Sequence, residues 1–565
     1  MVSNIIGVGA SNIEERGLAV NHQLESTPVQ FEPCQSVPQA GVLFVLPFLE
    51  QTGLFSFKDH FQEVQKGYYH ITFIILFIAF MYLRRIKNPE QLKHHSPGEF
   101  GKIMGLDRVP EAKCLRKKLK EICTQQKSWQ WNMDLAKKWS HQEENEFYYI
   151  DGHVQVYNGH KAKLGKKHVA RQKLCLPGMQ EFWVNNKEGM PYFYVTGQVN
   201  EKLIEMLETQ IIPTLLKEIP SKYTQEELEN DPDLPRFTLV FDREAYSPAF
   251  FQRLWDKYRI AIITYRKNVK NVWGKNDFNE FTIDIEGIET KMSLAEKTIK
   301  LDNVPLREIR RLSGDHQTSV ITTNKKLSLH TVAIHMFARW TQENFFKYMR
   351  QDYNFDRLLQ YAVEQIDKDF IVVNPEYNNI GYRLKKIREK ISRRMATLYK
   401  LQEDNVKDDL DCTNKHLEKQ IRVRQELDDF KKQEDQLLDA RKQTPYKIKI
   451  EDMPDDVKYN KLNMESKRFQ NIIKIICYRA ETSFANLLSG NYKKSINEKR
   501  TLVKSIINSH ADIIPDYQNN TLTVKLYSQS SPRMNVAIKN VCNLLNETNT
   551  KYPGTNLILD YKIAT

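Results

Sequence analysis

The chain has 565 residues, too many for one hydrophobic core, and suggests roughly three or four domains. Hydrophobic residues make up 41% and charged residues 27%, a soluble globular balance that sets aside a disordered or membrane-embedded chain. The formal net charge of +13 points to a polyanionic partner wherever that excess is localised.

The seven cysteines are scattered without a CxxC pair. They signal neither a zinc site nor a disulfide framework and fit a reducing cytosol. Residues 1 to about 40 are polar, with three prolines, and read as a flexible lead. No basic lead-in precedes the first apolar block, so no secretory signal is read. Residues 41–142 are helical in pattern. Within them, residues 67–83 (GYYHITFIILFIAFMYL) imitate a membrane span. The run falls short of the ~20 residues a span needs and leads directly into a basic segment, so it reads as a buried core helix with no membrane partner. Residues 97–105, the turn 106–110 and the basic segment 111–120 resemble a helix-turn-helix, whose second helix would enter a DNA groove. Any basic helical hairpin carries the same pattern.

From about residue 147 the period changes to strands. Residues 147–157 (FYYIDGHVQVY) alternate, placing Tyr149, Asp151, His153 and Gln155 on one face. A strand over 190–199 and an amphipathic helix over 201–217 follow. Residues 236–241 and 260–265 are continuous apolar runs of the kind found in central parallel strands, with a helix over 250–258 between them. This order predicts a mixed α/β sheet. A β-rich insertion spans about 268–327, and an apolar helix then carries Val332, Met336, Arg339, Glu343, Phe346 and Arg350 on one stripe. Residues 351–450 read as a charged antiparallel helical hairpin, and 451–565 as a helix with a small α/β module.

Three acids stand where packing disfavours them. Asp151 is mid-strand, Asp242 ends a buried strand at its carboxyl end, and Glu343 lies on the apolar helix. Separately they read as a turn aspartate, a helix-capping aspartate and an ion-paired glutamate. Jointly they match the layout of a two-metal phosphoryl-transfer centre, because Mg²⁺ takes oxygen ligands and two such ions stabilise both oxygens of an in-line displacement.

With these residues in view, the chain resembles the DDE transposases of bacterial insertion sequences, over most of its length. The segments YIDGHVQVY, LVFDREAYS, ITYRKN and RWTQENFFKYM carry the resemblance. One branch of that family has a Y-(2)-R-(3)-E-(6)-K signature. Arg339 and Glu343 fit it, while Met336 replaces the tyrosine and Arg350 the lysine, so the chain resembles that branch or a sister group.

The resemblance implies an RNase H-like catalytic core over 143–350, with Asp151, Asp242 and Glu343 as catalytic metal ligands for two Mg²⁺ or Mn²⁺ ions. It implies DNA cleavage at the element ends and strand transfer into target DNA. It also implies double-stranded DNA partners (terminal inverted repeats and target), a homodimer on DNA and a cytoplasmic, nucleoid-associated location. Lys161, Lys163, Lys166, Lys167, Arg171 and Lys173, in a loop after the Asp151 strand, and Arg266, Lys267 and Lys270 are candidates for holding the backbone. Arg339 and Arg350 would touch phosphate or orient the carboxylate, and Trp273 would stack on an unpaired base unless it simply packs. His153 and His316 read as structural. The competing readings are a decayed, non-catalytic DNA-binding or assembly protein, and a nuclease without strand transfer.

Overall fold

The computed structural model describes residues 10–64, 67–159, 164–169, 172–197, 201–285, 288–337, 340–355, 363–364, 371–403, 410–453, 461–462, 464–490, 492 and 496–564; the side chains of 340–343 lie outside the description. The Ile71–Leu83 helix is apolar on every side and buried. Such a helix must be central, and it packs against the long Glu465–Leu487 helix, as a core helix rather than a span. Among the described residues no helix is long and apolar enough to cross a membrane.

The two ends of the chain share this core. Strand β1 (Cys34–Val37) pairs antiparallel with Ala511–Asp516, which continues through Thr521–Leu526 to the parallel strand Ile558–Ile563. At Gly41 a Cβ would lie 1.8 Å from the Ile506 carbonyl oxygen, so the backbones approach as only glycine permits. The lead is pinned from residue 11 onward rather than flexible. Arg16 grips Asp107 through two bonds of 3.0 and 2.6 Å and lies over the Tyr68 ring. In the basic hairpin, the Pro97–Met104 helix buries Phe100, Ile103 and Met104. The Ala112–Cys123 helix buries Leu115, Leu119 and Ile122 and exposes Lys113, Arg116, Lys117 and Lys120.

The α/β class holds, in one large mixed sheet. Its strands are β2 (Phe147–Val156), β3 (Lys166–Val169), β4 (Leu174–Asn185), β5 (Pro191–Gly197), β6 (Phe237–Phe241), β7 (Ile260–Tyr265), β8 (Asn279–Ile285), β9 (Ile288–Leu301), β10 (Val304–Ser313) and β11 (His316–Thr322). Strand β4 lies antiparallel between β2 and β5, whereas β2, β6 and β7 run parallel. The apolar run of β6 is buried throughout, and that of β7 up to the half-buried Tyr265, as central parallel strands require. The Pro248–Tyr258 helix joins them, capped by the Ser247 hydroxyl and started by Pro248.

Two features differ from the local patterns. The β-rich insertion extends the same sheet, because β11 pairs with β7 and is followed by β10, β9 and β8. The helix expected over 201–217 is Leu203–Met206 and Ile212–Glu218, joined by a π turn at Leu207–Ile211; Pro213 has no N–H to give a regular ladder, and the wide turn absorbs the loss. The stripe around Glu343 runs through the helical segments Leu329–Phe337 and Trp340–Tyr353, and residues 338–339 lie outside the description.

The charged helices Pro375–Glu403 and Leu410–Gln443 form the expected antiparallel hairpin, closed by a seam of Ile380, Leu384, Ile387, Ile391, Leu427 and Leu437.

Candidate active site

The parallel register of β2 and β6 runs from Phe147 opposite Thr238 to Ile150 opposite Phe241. Asp151 and Asp242 are the next residues on each strand, so two carboxylates stand side by side at the carboxyl-end rim. This is where β2 has an antiparallel neighbour on one side and a parallel one on the other, the kind of switch point at which open sheets bind ligands. Asp151 is half-buried and still within β2, opposite Trp183 of β4. Asp242 is exposed, and its Oδ1 accepts the Arg243 N–H at 2.6 Å, capping the short Arg243–Ala245 turn.

The residues flanking Asp151 on its face of β2 hold the covering helices. The Tyr149 hydroxyl meets His335 Nδ1 at 2.6 Å, and the His335 ring stacks on Phe147 at 3.7 Å. Burial pulls the His335 pKa down to about 4, so the ring is neutral at physiological pH. Two residues beyond Asp151, His153 stacks between Phe346 and Phe355, at 5.3 and 5.0 Å, a structural role. The helix that carries Glu343 therefore packs on β2 next to Asp151, with Glu343 one turn before Phe346. Its far end is anchored by Glu481, which accepts the hydroxyls of Tyr348 and Tyr353 and pairs with Arg85 at 2.6 Å. The Glu343 side chain lies outside the description, as does Arg339. Among the described residues no group of three His, Cys, Asp or Glu side chains converges to hold a metal ion.

Over residues 7–565 the chain matches a family model described as a transposase protein. The chain belongs to this transposase family. No curated protein and no solved structure matches it.

Around the transposase's two strand aspartates, the basic candidates fall into distinct settings. Lys166 and Lys167 are on a strand rather than in a loop, because β3 pairs with β4 and turns Lys166 outward and Val169 inward. The Lys167 ammonium donates to Gln180 Oε1 at 2.5 Å and lies 4.0 Å from Glu244, two residues past Asp242. Burial lowers its pKa. Gln180 in turn crosses over Gly152, where a Cβ would meet its amide nitrogen at 2.8 Å. Lys167 thus stands beside the Asp242 turn, on the face of β2 opposite the Asp151 side chain.

Arg266 is bound to Glu308, at 2.5 Å, and Lys267 lies 5.7 Å from the centre of the Tyr246 ring. The Trp273 ring sits between Arg310 and Lys297, at 4.2 and 4.8 Å, and its backbone exchanges two hydrogen bonds with the Gln317 amide. Packing is thus what the tryptophan does here, ordering the loop after β7. Arg350 Nε donates to the Phe346 carbonyl. Lys161, Lys163 and Arg171 lie outside the described residues.

One acid escaped the sequence reading. Glu181 of β4 shares the face of Asp151 and is fully buried, accepting from Gln155 and Trp183 at 2.8 and 3.1 Å with Lys467 at 3.5 Å. Its signal was the one that marked Asp151, a carboxylate inside an apolar strand. Its compensating cation comes from a helix almost three hundred residues away in sequence, which makes it a support beneath the site.

Proposed function

We propose that this transposase is a DDE enzyme with an RNase H-like core, encoded by a bacterial insertion sequence, that cuts DNA at the element ends and joins them to target DNA. The observation that carries the proposal is the adjacency of Asp151 and Asp242 on parallel strands. A five-strand arrangement β5-β4-β2-β6-β7, antiparallel on one side of β2 and parallel on the other, supports the same reading. So does a third acid, Glu343, on a helix that packs beside Asp151.

The donor set suits hard divalent cations, since it consists of carboxylate oxygens at an open rim. Asp151, Asp242 and Glu343 would hold two Mg²⁺ or Mn²⁺ ions. When bound, these supply Lewis-acid stabilisation of the attacking and leaving oxygens. In the first step water attacks a phosphodiester and the P–O3′ bond breaks, leaving a 3′-hydroxyl and a 5′-phosphate. In the second, that 3′-hydroxyl attacks a target phosphodiester and displaces a target 3′-oxygen.

The chain's own residues position the DNA. Lys166, Lys167 and Lys267, with Lys163 and Arg171, contact the backbone near the acids. Arg339 and Arg350 would touch phosphate or orient the Glu343 carboxylate, and Arg266 and Trp273 would act by ordering the loop after β7. The protein works as a homodimer on DNA.

The test is incubation of the full chain with Mg²⁺ or Mn²⁺ and duplexes carrying the terminal inverted repeats that flank its gene. Cleaved ends with 3′-hydroxyls and joined products are expected, and Asp151→Asn, Asp242→Asn and Glu343→Gln should each abolish them. An inactive wild type, or full activity in Asp151→Asn, overturns the assignment. Cutting without joining would identify a nuclease.

A further inference from the structure

The hairpin carries its charge on one helix. Pro375–Glu403 has eight basic and three acidic residues, whereas Leu410–Gln443 has eight of each. Opposite the apolar seam, the outward face of the first helix presents Lys385, Lys386, Arg393 and Lys400, all exposed. Arg388 and Arg394, which flank the seam, are tied to Glu434 and Glu426 of the second helix at 2.6 and 2.5 Å. Lys386 lies 3.6 Å from Glu389 of its own helix. Among the described residues Lys385, Arg393 and Lys400 have no carboxylate partner. An unneutralised stripe on a helix that has already buried its apolar face lowers its energy by meeting a polyanion.

The stripe is also in the right place. Below the hairpin, Ile371–Val373 pairs with Lys447–Lys449, and Asn374 Nδ2 donates to the Pro445 carbonyl. Lys447 reaches Glu205 at 3.1 Å, and Lys202 lies over the Tyr446 ring. Glu205 belongs to the Leu203–Met206 helix, which packs against the Arg243–Ala245 turn that Asp242 caps. The root of the hairpin is therefore one element away from the aspartate rim.

We infer that the outward face of the Pro375–Glu403 helix is a track for the phosphate backbone of duplex DNA that enters or leaves the site. Residues 386, 393 and 400 are spaced by about 10 Å along the helix axis, at 1.5 Å per residue. A straight row parallel to the duplex axis crosses both winding backbones within one turn of about 34–36 Å, so its cations meet phosphates of both strands. The contact is sequence-independent, and the 29-residue helix, about 43 Å long, covers more than one turn of duplex. The inference rests on the proposed DNA-processing function, but it assigns a surface that takes no part in the chemistry.

The experiment is equilibrium binding of a duplex of about 40 base pairs, in EDTA over a series of salt concentrations. It compares the full chain with the variant Lys385→Gln/Lys386→Gln/Arg393→Gln/Lys400→Gln. Glutamine is a good helix former at these exposed positions, and an unchanged melting temperature establishes that the variant is folded. Removing four phosphate contacts should make the slope of log K against log salt shallower by about 3.6 and weaken binding at least tenfold at low salt. Equal slopes and affinities overturn the inference, as does a wild type that does not bind duplex. Loss of poly-glutamate binding with DNA binding intact would assign the stripe to an acidic polypeptide instead. If the slope changes as expected but the wild type cuts nothing with Mg²⁺, the track stands and only the catalytic reading falls.

Discussion

Asp151 and Asp242 occupy equivalent positions on neighbouring parallel strands, each one residue beyond the last paired couple, Ile150 and Phe241. Two carboxylates fixed in this way act as a unit, so their contributions to rate should not multiply. Each single Asn substitution is expected to lower cleavage by about three orders of magnitude, equivalent to the several kcal/mol a metal supplies. The double variant should be scarcely worse than either single one. Single-turnover cleavage at saturating DNA measures all three, and strictly multiplicative losses would mean the residues act independently.

Glu481 fixes the far end of the glutamate-bearing helix through Tyr348 and Tyr353 while neutralising Arg85. Glu481→Ala removes the closer carboxylate of the half-buried Arg85, leaving Asp352 at 3.6 Å, and takes the acceptor from two tyrosine hydroxyls, at a cost of about 2–3 kcal/mol. Urea denaturation should show the loss. The double variant Tyr348→Phe/Tyr353→Phe, which spares the ion pair, should destabilise far less.

The Arg16–Asp107 pair is almost wholly buried, with side chains 8% and 2% exposed. Burial alone would raise the Asp107 carboxyl. The bonds from Arg16 and from the Asn12 and Ser11 backbone N–H groups outweigh it and hold the pKa below the usual carboxylate range. Its stabilisation is therefore present above the unfolded value of ~3.9 and is lost as pH falls through the lower folded value. Asp107→Asn should be less stable than wild type at pH 7, and the two should converge in acid. A gap that stays constant down to pH 2 would exclude this linkage.

His335 titrates with the same sense for a different reason. Its folded pKa of about 4 lies below the unfolded value of ~6.5, because the buried ring between Tyr149 and Phe147 resists protonation. Stability should be full above pH 6.5 and fall by about 3 kcal/mol as the pH drops towards 4. His335→Gln, which keeps a partner for the Tyr149 hydroxyl, should lose that component of the pH dependence. The comparison is made by urea midpoints between pH 4 and 7.

The features legible in the sequence are those that local chemistry encodes. Alternation exposes one face of β2, and an apolar run that stops at Asp242 marks a strand end, so both aspartates are visible before any fold is known. The buried nature of Ile71–Leu83 follows equally from its composition. Pairings over long sequence distances leave no such mark. Nothing local in β11 says that it will lie beside β7, and nothing in Glu181 names Lys467 as its counter-ion. The lead containing Arg16 is polar enough to read as loose because its partner, Asp107, is ninety-one positions away.

The closure of β1 on the strand Ala511–Asp516 has a consequence for biosynthesis. The Phe31 backbone waits for the Tyr517 hydroxyl, and the Leu43 and Ile103 carbonyls wait for Tyr561 and Tyr552. Until those partners emerge, residues 31–103 and the apolar Ile71–Leu83 helix lack part of the surface they pack against. These bonds cannot form until partners 449 to 518 positions further along the chain have been synthesised. Nascent chains and premature-stop products should thus be chaperone clients and protease substrates, and the dose of active transposase is limited by completion of synthesis as well as by its initiation.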